Sequence, residues 1–185
     1  MDTLEKLFET TLRDVYYAEK AILKNLPKMA KKASSPRLQA AFEEHIEQTE
    51  GQVDRLEKIF EMIGKSARGK RCPAIDGLAE EASEIIEEAE DDTVRDAGML
   101  SAAQAVEHYE ISRYGTLAAW ADKLGMSDAG DLLRETLEEE KETDMKLSKL
   151  AESEINARAE QGDDDTPKGK ASSKKKSAGN RHASA

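Results

Sequence analysis

Four stretches of this chain read as long amphipathic helices, and each sets an ionisable residue where its apolar stripe should continue. Those residues are Glu19, His45, Glu110 and Glu140. The first stripe reads Leu12, Val15, Glu19, Ile22, Leu26, and the second Leu38, Phe42, His45, Thr49, Gln52, Leu56. The third reads Leu100, Ala103, Glu107, Glu110, Tyr114, Leu117, and the fourth Leu133, Leu137, Glu140, Asp144, Leu147, Ala151. Side chains three and four apart share a helix face, so Thr49 joins His45, Glu107 joins Glu110, and Asp144 joins Glu140. A buried carboxylate without counter-charge is costly enough to take up a proton or be replaced. Four stripes broken in this way imply a positive charge between them, and a pair of metal ions is the natural candidate.

The boundaries of these helices follow from local signals. The first is expected from about Thr3 to Ala33, bent or interrupted at Pro27, which removes a hydrogen bond and crowds the preceding turn. Ser35 is a cap and Pro36 suits a first helical position, so the second helix starts there and runs to about Ile63, ending at Gly64. Residues 64–73, GKSARGKRCP, form a basic loop rich in breakers, followed by one short acidic helix carrying Leu78, Ile85 and Ile86. Thr93 with Asp96 resembles a helix start for the third long helix, which ends near Gly125. Ser127 opens the fourth, reaching about Arg158.

Tight turns join helices one and two, and three and four, which makes each pair an antiparallel hairpin. The middle connection is nearly thirty residues, long enough to cross from one end of a bundle to the other. The expected fold is therefore all-α: a ferritin-like four-helix bundle of two antiparallel hairpins, with a long crossover carrying a short fifth helix. The hairpins also align with each other, Glu19 on Glu110 and His45 on Glu140, a pseudo-twofold relation that would bring the polar positions to one level.

Bulk properties narrow the function. Of the net charge of −11, residues 1–160 carry −14 and residues 161–185 carry +3. So acidic a body argues against nucleic acid as the ligand of the folded part. Cys72 is the one cysteine, so no intrachain disulfide is possible and a reducing compartment is expected. No signal peptide or membrane span is legible, and the expected location is cytoplasmic. Residues 1–160 read as the bundle; residues 161–185 read as a disordered Lys/Ser-rich tail whose Lys174–Lys176 run would touch DNA only weakly.

Five carboxylates and one imidazole, namely Glu19, Glu107, Glu110, Glu140, Asp144 and His45, cannot all ionise in one core without counter-charge. Two divalent cations would balance them, and an oxygen-rich set with one nitrogen suits iron or manganese. The plainer alternative pairs these acids with core-facing Arg or Lys, or places them on a solvated edge. Tyr16, Tyr109 and Tyr114 lie within a turn of the acids and are either orienting partners or ordinary core tyrosines. Glu43, Glu44, Glu47 and Glu50 flank His45, and one of them is an alternative ligand to Thr49. Cys72, in its basic loop, reads as an incidental thiol.

The stretches LRDVYYAEKAILKNLPKMA, AAFEEHIEQTEGQVDRLEKIF, AVEHYEISRYGTLAAWADKLG and LEEEKETDMKLSKLAE, with KRCPAIDGL between the hairpins, resemble the YciE/YciF-type ferritin-like stress proteins. The resemblance implies a ferritin-like bundle, often a homodimer, in a stress-response role, with catalase-like or ferroxidase-like dimetal chemistry. The broader ferritin pattern takes one Glu from each of two helices and Glu-x-x-His from each of the others. Glu19 and Glu110 match the first kind. Phe42 stands where a Glu would precede His45, and the fourth helix has no His, so Glu140 and Asp144 occupy that face. The competing function is a non-catalytic bundle that dimerises or docks partners.

Overall fold

A computed structural model describes residues 1–162, and among them there is no strand. The elements are α1 (Leu4–Lys32), α2 (Pro36–Met62), α3 (Pro73–Glu88), α4 (Asp92–Lys123) and α5 (Ser127–Leu150). A π-helical turn, Ala151–Ile155, then leads into α6 (Asn156–Gln161). Helices α1 and α2 form one hairpin, α4 and α5 the other, and α3 is the crossover helix, packed on α1 and α4. The expectation for residues 163–185 lies outside the described residues.

Local chemistry sets most boundaries. Thr3 caps α1 by accepting from the Lys6 amide, 3.2 Å, and Ser35 caps α2 ahead of Pro36. Gly64 and Gly125 have positive φ, 67° and 72°, which lets the chain leave α2 and α4 sharply. Pro27 does not interrupt α1. It sits on the exposed face, where water can reach the Leu23 carbonyl that its missing N–H leaves free.

The start of α4 differs from expectation. Asp91 is the cap, accepting from the amides of Thr93 and Val94 at 2.8 and 3.0 Å. Asp96 does something else. It is buried and accepts from the Ser34 amide (2.8 Å), the Ser34 hydroxyl (2.7 Å) and the Ser35 amide (2.7 Å), tying the α1–α2 turn to α4. These are donors at the tip of one hairpin that no helix ladder satisfies.

The core falls into two apolar clusters. One gathers Phe8, Leu12, Val15, Leu56, Ile59, Phe60, Leu117 and Leu133. The other gathers Ile22, Leu26, Leu38, Phe42, Met99, Leu100, Leu147 and Ile155. Each of α1, α2, α4 and α5 passes from one cluster to the other through a polar stretch, so a polar layer crosses the bundle at mid-height.

Candidate metal centre

That layer holds Glu19 from α1, His45, Thr49 and Gln52 from α2, Glu107 and Glu110 from α4, and Thr136, Glu140 and Thr143 from α5, all buried. Within it, His45, Glu107, Glu110 and Glu140 each offer a ligand atom, and the four atoms lie within 4.8 Å of one another. Glu19 adjoins them. Its Oε1 accepts from the Tyr114 hydroxyl, and it is close enough to Glu110 to share a proton. His45 Nε2 is 3.3 Å from Glu107 Oε1.

With the acids ionised, six of the eight oxygens of these four carboxyl groups have no hydrogen-bond donor among the described residues: Glu19 Oε2, Glu107 Oε2 and both oxygens of Glu110 and Glu140. Among the described residues, no Lys or Arg forms an ion pair with any of the four. The charge of Arg55 is felt at Glu19. It is spent on Thr136 (3.0 Å), Glu135 (2.8 Å) and Glu139, and Gln52 also donates to Glu139 at 3.2 Å. The plainer alternative, pairing with core-facing Arg or Lys, is therefore not what this core contains. Buried oxygens are ordinarily partnered, so this donor set fits a cation.

Burial dominates the electrostatics. It pushes Glu19 and Glu107 up to about 8, with the charge of Glu140 adding to the effect at Glu19. Glu110 and Glu140 are held well above the usual carboxylate range, first by burial and then by the neighbouring acids. Burial also lowers His45 to about 4, so its imidazole is neutral and suited to ligation. Without a cation the acids must hold protons; with one they need not.

Other expected residues sit elsewhere. On α5 the inward stripe steps through Leu133, Thr136, Glu140, Thr143 and Leu147. Positions three and four beyond Glu140 are both geometrically admissible, and the bundle buries Thr143. Asp144 is left half-buried at the margin, accepting from Gln104 at 3.2 Å and 3.5 Å from the exposed His108. The Thr49 hydroxyl donates to the His45 carbonyl at 2.8 Å. Glu43, Glu44, Glu47 and Glu50 are exposed. Of the three tyrosines only Tyr114 touches the acids, since Tyr16 bonds Glu57 (2.7 Å) and Tyr109 meets Cys72 Sγ (3.1 Å). Cys72, at the end of the basic loop, is thus buried against α4.

Comparison with known proteins decides the family. Residues 3–160 match the model described as a domain of unknown function, DUF892. Over 161 residues the chain is 47% identical to protein YciF of Escherichia coli (strain K12), spanning 86% of this chain and 97% of that one. The chain belongs to the DUF892 family. Solved structures agree on the DUF892 fold. The E. coli stress protein YciF superposes with a TM-score of 0.81 at 46% identity, over 85% of this chain and all of that one. YcfI of Rhodopseudomonas palustris, described as a candidate structural protein, gives 0.78 at 48% identity over 80% and 94%. A Xanthomonas campestris protein at 23% identity shares the fold alone, with a TM-score of 0.67 over 85% and 96%.

Proposed function

We propose that this DUF892 member is a stress protein carrying a dinuclear iron or manganese centre that reacts with peroxide or oxygen. Glu19, His45, Glu107, Glu110 and Glu140 would hold the ions, with Asp144 at the margin. The observation that carries the reading is the set of six unpartnered buried carboxylate oxygens beside a neutral imidazole. Four carboxylates against two divalent ions leave the layer neutral, which is the condition for burying it between two apolar clusters.

When bound, such ions supply the electron transfer. The chain's own groups do the rest. Tyr114 fixes the rotamer of Glu19 by donating to Oε1, leaving Oε2 for a ligand. The two apolar clusters close the layer off toward both ends of the bundle. Asp144 lies near enough to raise Glu107 further and 3.5 Å from exposed His108, so it is positioned to pass protons between the layer and solvent.

The competing reading is a metal-free bundle acting by homodimerisation or partner docking, and the description of the R. palustris relative favours it. Elemental analysis after expression in iron- or manganese-supplemented medium separates the two. About two ions per chain, lost in the Glu19→Ala/Glu110→Ala double variant, support the dimetal reading. Sub-stoichiometric binding of every transition metal, with the double variant equally or more stable, supports the other.

A further inference from the structure

Beside the polar layer lies an apolar pocket of about 70 Å³ between α1, α3 and α4. Leu26 and Met29 of α1, Leu78 and Ile86 of α3, and Val106 of α4 line its walls, while His45 and Glu107 line it where it meets the layer. Both polar residues are at least nine-tenths buried, and Glu107 Oε2 has no partner. Asn25, Lys28 and Ser83 also line the pocket, and Lys28 and Ser83 are exposed, which marks its mouth.

The space has a sequence cause. Where α3 crosses the groove it presents Ala79 and Ala82, and α4 presents Ala102 and Ala103. Protein interiors leave few voids larger than a water molecule, and leucines at these points would close this one. The helix above is anchored at both ends. Near its start, Cys72 meets Tyr109 (3.1 Å) and Tyr17 donates to Asp76 (2.8 Å). Near its end, Ile85 seats so closely on Gly98 that a Cβ there would fall 2.3 Å from Ile85 Cγ2. Between those anchors α3 bridges the pocket.

Shape and charge select the occupant. The α1 wall from Ala21 to Met29 covers about 12 Å of helix, so the pocket is elongated. Its volume holds about five water-sized groups. The lining excludes a polar body. On the dimetal reading, on which this step rests, Glu19, Glu107, Glu110 and Glu140 already neutralise two divalent ions. A ligand carboxylate would then bury excess negative charge. We propose that the pocket binds a linear alkyl compound of about four to six carbons, its uncharged oxygen-bearing head at the end lined by His45 and Glu107.

The test uses the full chain labelled at its methionine methyl groups, with the Met29 signal identified by its loss in Met29→Leu. In metal-free protein, 1-hexanol is expected to shift that signal saturably. Ala82→Leu, which fills the pocket from the half-exposed α3, is expected to weaken binding at least tenfold, and Ala79→Leu serves as a second plug. In protein loaded with diamagnetic zinc, hexanoate is expected to bind at least tenfold more weakly than 1-hexanol. An unmoved Met29 signal, or binding that both plugs leave unchanged, overturns the pocket. Hexanoate binding as tightly as 1-hexanol overturns the uncharged head. A chain that binds 1-hexanol but takes up no metal keeps the pocket, while the dimetal reading and the head assignment fall together.

Discussion

Glu110 shows what the layer demands of a single residue. Both its oxygens are buried and unpartnered, and three neighbouring acids press on it. In metal-free protein it is a burden that an apolar side chain would relieve. Glu110→Leu is therefore expected to stabilise the metal-free bundle by about 1–3 kcal/mol at pH 8, the cost of keeping a buried polar group without a partner. Urea titration checks the gain, and metal uptake by the same variant should fall. The pH dependence has a definite sign. Glu19 and Glu107 have folded values of about 8 against an ordinary value of 4.5, so their contribution is fully present below about 4.5. It is lost as the pH rises through 8. His45, lowered from 6.5 to about 4, acts oppositely: its contribution is present above 6.5 and lost as the pH falls through 4. Metal-free protein should thus lose stability from pH 6 to 9, and metal binding at pH 7 should release protons, measurable by calorimetry in buffers of different ionisation enthalpy. A metal-free stability that rises from pH 6 to 9 would contradict this.

At the scale of elements, Asp96 and Gly98 place α4 against its neighbours. Asp96→Ala leaves the buried Ser35 amide without its acceptor, while the exposed Ser34 donors can turn to water, and a loss of about 1–3 kcal/mol is expected. Gly98→Ala forces Ile85 away and should cost about 1–3 kcal/mol as overpacking. Thermal denaturation measures both. Neither role was legible in the sequence. Asp96 has the spacing of a helix-start acid after Thr93, and only the fold reveals that the α1–α2 turn lies against it. The α5 stripe was half legible for a similar reason. A period of 3.6 residues admits both three and four as the next inward step, so Thr143 and Asp144 were equally good candidates until packing chose. By contrast, Glu19, His45, Glu110 and Glu140 interrupt apolar stripes on both sides, and no rotation of the helix turns them outward without exposing leucines.

Taken as a whole, the molecule is two hairpins whose meeting surface carries the acids. The long crossover and the two short turns made that architecture readable from element lengths alone. The pocket under α3 was not readable, because small residues on two helices signal nothing until those helices cross. Because the proposed ligands come from both hairpins, bound metal should hold them together. Free metal at a hundredfold over Kd is expected to raise stability by about 2.7 kcal/mol for each ion bound. Scanning calorimetry with and without manganese reads this directly, and the Glu110→Leu variant should show little of it.

On the dimetal reading, cations sit among His45, Glu107, Glu110 and Glu140, with Glu19 beside them. The decisive experiment is anomalous diffraction at the manganese edge, from crystals of the full chain grown with manganese. Two strong peaks are expected inside the bundle at the level of those side chains. Peaks confined to the acidic surface, with the five side chains ion-free and paired through protons, would contradict that reading.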